Sequence, residues 1–265
     1  MTAPAWFAGP RVGFDLETTG IDVWTDRVVT ACIVNVVPAS RPLFGSWLVD
    51  PQIEIPKAAA DVHGITTEHA RAHGVHPTQA LGEITQELAW TLQAGIPVVG
   101  FNLAYDLTLL ESENRRHGLP TLTEMLAPGP VAPIVDVMVL DKQVDTYRKG
   151  SRKLGDVCRH YTCTLAGAHD SGADALAAVR VASVIAARYP DEVGNVELDV
   201  LHAKQIEWRA EQQTQLAKYF RSKGKDVSDI WPEWPIVPPR NEIGGSNSHP
   251  QDAASEPPLT EKATQ

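Results

Sequence analysis

The sequence has little cysteine, no long apolar run and no phosphate-binding glycine loop, and each lack removes a class of protein. Only three cysteines occur, Cys32, Cys158 and Cys163. Their spacing offers neither an even disulfide framework nor a metal-ligand pair, so they read as small apolar residues in a reducing, cytoplasmic setting. No apolar stretch reaches the ~20 residues of a membrane-spanning helix, so no membrane partner is expected. The opening residues lack a basic start followed by an apolar run, which argues against a secretion signal. No G-x-G-x-x-G and no P-loop follows a strand pattern, so a dinucleotide-binding enzyme is disfavoured. Internal repeats are absent as well.

Material for a core is present: of 265 residues, 43% are hydrophobic and 21% charged, the balance of a folded chain. The formal net charge of −10 argues against a polyanionic partner at first sight. That argument reverses if some of the carboxylates hold divalent cations, because a bound ion becomes the largest local charge.

Along the chain, RVGFDLETTG is a short apolar strand ending in a polar turn. Residues 26–37 and the segment LFGSWLVDP read as two further strands, and the turns between the three suggest an antiparallel meander. The period then changes. Residues 77–94 place Ala80, Ile84, Leu88 and Leu92 at helical spacing. PVVGF is a buried strand, followed by a helix with Leu107, Leu109 and Leu110 that ends near Gly118. PIVDVMVL reads as another strand, and SRKLGDVCRHY and SGADALAAVRVASVIAARY as two helices. Residues 197–224 form a long polar helix with Leu201, Ile206, Leu216 and Phe220 for docking. IWPEWPIVPPR is extended, and its Trp231 and Trp234 either pack back on the domain, the favoured reading, or stack against bases or a partner. The expected organisation is a domain over residues 1–190, a helical and Trp/Pro-rich extension over 191–240, and a disordered tail over 241–265, where apolar content is too low to order the chain. The fold class is α/β, with three antiparallel strands, then parallel strands, in one mixed sheet flanked by helices.

Acidic residues gather at the ends of these elements. In FDLET, side chains alternate across the strand, so Asp15 and Glu17 share a face with Cα atoms ~6.6 Å apart, close enough to reach one hard cation. Two carboxylates pointing into solvent would read the same way. Asp106, in GFNLAYDLTLL, opens a helix after a buried strand, where the helix dipole favours an acid without any function. Asn102 there suits a helix cap as well as a ligand contact. In HDSGADA, His169 and Asp174 are five apart and converge only if His169 lies on the loop and Asp174 in the first helical turn. Ser171 to Asp174 also reads as a capping box. None of the other eight histidines has an aspartate at this distance.

Taken in order, these motifs resemble the DEDDh (DnaQ-like) 3′→5′ exonucleases, relatives of the bacterial DNA polymerase III epsilon subunit with a ribonuclease H-like fold. VGFDLETTG is similar to their first motif, FNLAYDLTLL to their second, and HDSGAD to their third, H-x₄-D. VHGIT and RKLGDVCRHY match flanking segments, and the resemblance covers about residues 11–188. The chain departs from the family in three places: Phe101 stands where a histidine is usual, Tyr105 where a phenylalanine is, and Gly172 where an apolar residue is commoner.

The resemblance implies a catalytic set of Asp15, Glu17, Asp106, Asp174 and His169, with the four acids holding two Mg²⁺ or Mn²⁺ ions. Asp15, Glu17 and Asp174 would hold one ion, and Asp15 would share the second with Asp106 through water. His169 would take a proton from the attacking water, a task that suits a side chain titrating near pH 6.5 in water. The product would be a nucleoside 5′-monophosphate, cut from the 3′ end of DNA, preferably single-stranded. Expected substrate contacts are the backbone of the turn Thr18, Thr19 and Gly20 after the first motif, His63 in HGIT, Asn102, Tyr105, and Arg148 with Lys149 in the cationic run YRKGSRK. His63 also suits a plain surface turn, and the cationic run a plain solvated face. RNA is the alternative substrate, since oligoribonuclease and RNase T share these motifs. A DNA polymerase is a candidate partner, in proofreading or repair. A non-catalytic docking module for a replication complex is the reading from another class.

Overall fold

The structure is a computed structural model of the chain and describes residues 5–165, 167 and 169–239. Five strands, β1 (Arg11–Thr18), β2 (Val28–Val36), β3 (Leu43–Leu48), β4 (Val98–Gly100) and β5 (Ile134–Asp136), form one sheet in the order β3-β2-β1-β4-β5. The first three run antiparallel, whereas β4 and β5 run parallel to β1 and to each other. This is the mixed sheet that the strand pattern leads one to expect.

Alternation along the strands builds two cores. Val12, Phe14 and Leu16 of β1, with Val98 and Ile134, pack against Leu81, Ile84 and Leu88 of α3 (Pro77–Gln93) and Leu103 and Leu107 of α4 (Leu103–Arg116). Their strand neighbours Val99 and Val135 turn to the opposite face. There they meet α8 (Ser171–Arg188) through Ala177, Ala178, Val181, Ala182 and Ile185, supported by α6 (Val137–Val144), α7 (Leu154–His160) and α9 (Leu198–Ser222). Small residues let α8 lie very close to β1. A Cβ on Gly13 would stand 2.7 Å from the Ala175 carbonyl and 2.6 Å from Val34, so only glycine fits. Three short helices, α1 (Lys57–His63), α2 (Thr67–His73) and α5 (Leu122–Leu126), sit at the margins.

Two expectations need correction. PIVDVMVL is not one strand: β5 stops at Asp136 and α6 begins at Val137. The Asp136 carboxylate accepts the Met138 backbone N–H at 2.9 Å, and this cap starts a helix in spite of the β-branched residues that follow. Nor does α9 dock through the apolar set expected. Leu201 is buried, but Ile206 is 42% exposed and Leu216 and Phe220 are half-buried. The buried stripe is polar: His202, Gln205, Arg209 and Gln213. Its cause is β5, an edge strand whose open N–H and C=O groups need partners. The Ile134 N–H donates to His202 Nδ1 at 3.2 Å, the Asp136 N–H to Gln205 Oε1 at 2.8 Å, and Gln205 Nε2 donates to the Ile134 carbonyl at 2.9 Å. The helix thus does the work of a missing strand.

Trp234 packs as expected. It is buried, its ring lies 5.0 Å from that of His202, and its indole N–H donates to Asp136 Oδ2 at 3.4 Å. Cys32 and Cys158 are buried and Cys163 half-buried, all as free thiols. Among the described residues no helix is long and apolar enough to cross a membrane. The expected tail, residues 241–265, lies outside the described residues.

Candidate active site

The pairing of β1 opens a notch in the sheet. On one side β1 pairs with β2 along its whole length, with Asp15 opposite Cys32 and Glu17 opposite Thr30. On the other side it pairs with β4 only at Val12 and Gly13. Beyond Gly13 that edge of β1 is free, and the chain leaving β4 turns through Asn102 into α4. The free Leu16 N–H donates to Asp106 Oδ1 at 3.1 Å. Asp106 therefore reaches the β1 backbone at Leu16, the residue between Asp15 and Glu17 in sequence, whose own side chains lie on the α8 face. The site forms where parallel strands end and the strand order switches direction, the usual place for a ligand in such sheets.

Asp174 arrives from α8. His169 precedes this helix in a left-handed conformation, φ 66°, and its backbone N–H donates to Asp174 Oδ2 at 3.2 Å. The helix cap is Asp170, whose Oδ1 accepts the Ala173 N–H at 2.9 Å. Asp174 is thus not the answering half of a capping box with Ser171. Its Oδ1 is buried and has no hydrogen-bond partner among the described residues. Ligand atoms of Glu17, His169 and Asp174 all lie within 4.8 Å of one another, with His169 exposed and the acids half-buried.

Crowding shows in the acidities. Burial, and then the charges of Asp106, Asp174, Glu17 and Asp170, push the Asp15 carboxyl well above its usual range. Burial raises Glu17 to about 7, helped by Asp174 and Asp170. Burial raises Asp106 well above the usual range too, against the opposing pull of backbone N–H groups. Asp174 is raised by burial, while His169 pulls it down. Hard oxygen donors, mutual repulsion and a buried unpartnered carboxylate oxygen are what a divalent cation would satisfy, so these residues fit such an ion.

The expected substrate residues divide. Thr18 Oγ1 lies 2.6 Å from the Tyr105 hydroxyl and donates to the Gly20 carbonyl at 2.7 Å, and Tyr105 Oη donates to the same carbonyl at 2.6 Å. Tyr105 thus braces the turn beside the acids. Thr19 is buried, with its N–H bonded to the Arg27 carbonyl and its hydroxyl to Asp26 at 2.7 Å. Its side chain holds the turn and is not free to meet a ligand. Gly20 is required there, since a Cβ would stand 2.5 Å from the Asp26 carboxylate. His63 ends α1 and lies against the Thr18 backbone and His169, and burial lowers its pKa. Asn102 sits at the N-cap of α4 at φ 64° with no side-chain cap bond, while its backbone N–H donates to Asp136 Oδ1 at 2.9 Å. Arg148 is the other correction. It is paired with the buried Asp141 and with Asp145 at 3.2 Å, beside Arg152, which bonds Asp141 at 2.7 Å. A guanidinium held in this way is not free to track a phosphate chain. Lys149 is exposed.

Two residues at the site escaped the reading of the sequence. Asp170 adds a further negative charge beside Asp15, Glu17 and Asp174. Asp136 holds the Asn102 N–H ahead of Asp106. A carboxylate inside the apolar run PIVDVMVL was the available signal for the second.

Compared with known proteins, residues 12–182 match the family model described as Exonuclease (RNase_T). A PolC-type DNA polymerase III of Lacticaseibacillus paracasei is 25% identical over 164 residues, which cover 62% of this chain and 10% of that one. E. coli exonuclease I, solved in complex with a dT13 oligonucleotide, matches with a TM-score of 0.57 at 16% identity, over 69% of this chain and 42% of that chain. The exonuclease I of Methylocaldum szegediense matches with a TM-score of 0.55 at 18% identity, over 69% and 41%. These structural matches establish the ribonuclease H-like exonuclease fold. The chain spans about a tenth of the polymerase and about two fifths of the exonuclease I chains it matches.

Proposed function

The chain belongs to the Exonuclease (RNase_T) family, and from that premise we propose that it is a metal-dependent 3′→5′ exonuclease acting on single-stranded DNA and releasing nucleoside 5′-monophosphates. The observation that carries this reading is the convergence of four carboxylates from three elements, Asp15 and Glu17 on β1, Asp106 on α4 and Asp174 on α8, beside a histidine on a loop.

In this reading Asp15, Glu17 and Asp174 would hold one divalent ion, Mg²⁺ or Mn²⁺, and Asp15 would share a second with Asp106 through water. Two such ions, when bound, lower the pKa of water and draw off the charge of a phosphodiester. The protein's own part is to keep the acids together. The Leu16 N–H fixes Asp106, the His169 N–H fixes Asp174, and the β1 pleat fixes Asp15 beside Glu17. His169 accepts the proton of the attacking water at its ring, from an exposed loop position that can reach solvent and substrate. His63, the turn at Thr18 and Gly20, Tyr105 and Asn102 surround the terminal nucleotide, and Lys149 is free to meet the phosphate chain.

Single-stranded DNA as substrate is supported by the likeness to exonuclease I, a protein solved with dT13. The polymerase match supports work alongside a DNA polymerase, in proofreading or repair. The test is degradation of a 5′-labelled DNA oligomer with Mg²⁺ or Mn²⁺, beside EDTA and a His169→Ala variant. A ladder that shortens from the 3′ end and vanishes in both controls supports the reading. Degradation of the ribo-oligomer alone would move the substrate to RNA, and no degradation of either would favour a docking module.

A further inference from the structure

Beside the catalytic turn lies a cavity of about 360 Å³ that shares Asn102 and Tyr105 with the surroundings of the terminal nucleotide and extends past them to residues the mechanism above does not use. Its lining includes Trp24 from the loop after β1, Tyr105 of α4, Arg209 and Gln213 of α9, and Trp231 from the segment after α9. Residues 209–231 lie outside the 12–182 stretch that the family model matches, so part of this wall comes from beyond the matched region.

Arg209 is the odd member. It is only 9% exposed, and the nearest charge credited with supporting it is that of Asp136, which lies beyond ion-pair distance. Oriented by its hydrogen bonds, the Gln213 carboxamide oxygen accepts from Arg209 Nε at 3.1 Å and also from Nη2. That leaves Nη1 without a hydrogen bond among the described residues. A buried cation with spare donors and no paired anion is unfavourable unless an anion arrives, and a guanidinium fork suits phosphate. Two tryptophans and a tyrosine line the same cavity, and aromatic rings suit a planar base. Asp22 and Asp229 also line the cavity. Their negative charge makes a bare polyanion a poor occupant and leaves a ligand with a single phosphate as the better one.

We propose that this cavity binds a nucleotide unit, with the phosphate on Arg209 and the base against the aromatic rings of Trp24, Tyr105 and Trp231. The nucleotide has two sources: the strand next to the bond being cut, or the released 5′-monophosphate. Only the choice of source rests on the exonuclease reading.

Equilibrium dialysis of the full chain in EDTA, where no hydrolysis occurs, tests the site with dTMP, thymidine and a short oligothymidylate. dTMP is expected to bind about tenfold more tightly than thymidine, the ratio of a charge-assisted pair. Arg209→Gln removes that ratio, and Trp231→Ala weakens dTMP and thymidine alike by about tenfold. An oligothymidylate that displaces dTMP places the strand in the cavity; one that does not assigns it to free product. dTMP binding that is absent, or unchanged in both variants, overturns the proposal. If Arg209→Gln fails to fold, Trp231→Ala decides alone, since Trp231 is half-exposed. The wild-type hydrolysis assay keeps the two readings apart: DNA degradation with unchanged dTMP binding sinks only the cavity, whereas Arg209-dependent binding with intact DNA sinks only the exonuclease.

Discussion

Asp106 and Leu16 are ninety residues apart, yet the carboxylate of one accepts the backbone N–H of the other at 3.1 Å. The bond closes the notch left where β4 stops pairing with β1, and it brings the Asp106 charge close to those of Asp15 and Glu17.

Asp106→Asn separates the two tasks of this side chain. The amide oxygen still accepts from Leu16, so the melting temperature is expected to stay within about 2 °C. Loss of the charge removes a carboxylate that would reach the second ion through water. Losing such an outer partner of a metal site costs roughly 10–100-fold, and kcat is expected to fall by about that factor. Thermal melting and single-strand hydrolysis, measured side by side, check this, and near-normal turnover would remove Asp106 from the mechanism.

Crowded acids make a second prediction. Without a cation Asp15 is opposed by Asp106, Asp174, Glu17 and Asp170. Asp15→Asn is therefore expected to stabilise the metal-free protein, by roughly 1 kcal/mol or about 2–4 °C, while abolishing hydrolysis. Mg²⁺ should raise the melting temperature of the parent and leave that of the variant unchanged. A variant that melts lower than the parent in EDTA would contradict the crowding argument.

How much of this was legible beforehand follows from which forces act locally. The strand pleat puts Asp15 beside Glu17 from spacing alone, and a loop before a helix lets His169 meet Asp174. Both are short-range geometry. Asp136 was misread because a run of β-branched residues hides a helix cap whose other partners, Asn102 and Trp234, lie 34 and 98 residues away. Arg148 looked like a free cation because Asp141, seven residues back, became an inward-facing partner only once α6 formed. The polar stripe of α9 makes sense only after β5 is known to be an edge strand. Local pattern singled out the acids that the structure brings together; partners brought together by tertiary packing did not announce themselves.

That stripe carries a pH prediction. His202 Nδ1 must be unprotonated to accept the Ile134 N–H, and burial lowers its pKa in the folded chain below the ordinary value near 6.5. The unfolded chain then binds the proton more readily. The stability that depends on neutral His202 is complete above pH 6.5 and declines as pH falls from there toward the lowered folded value. His202→Asn, which keeps an acceptor and cannot titrate, is expected to flatten this slope. Urea midpoints at about pH 7 and pH 5.5 compare the two, and equal slopes would show that His202 does not control it.

Gly13 links packing to catalysis. α8 rests on β1 so closely that a single methyl at this position would stand 2.7 Å from the Ala175 carbonyl and 2.9 Å from Val179. Ala175 follows Asp174 directly, so any retreat of α8 carries Asp174 away from Asp15 and Glu17. Gly13→Ala is thus expected to cost about 1–3 kcal/mol of stability, as overpacking in a core does. It should also lower kcat by more than the lost folded fraction explains, because a displacement of about 1 Å in a catalytic group is worth roughly 100-fold. Activity measured well below the melting temperature separates the effects. If the variant is destabilised but fully active when folded, α8 can shift without moving Asp174, and the tight contact serves stability alone.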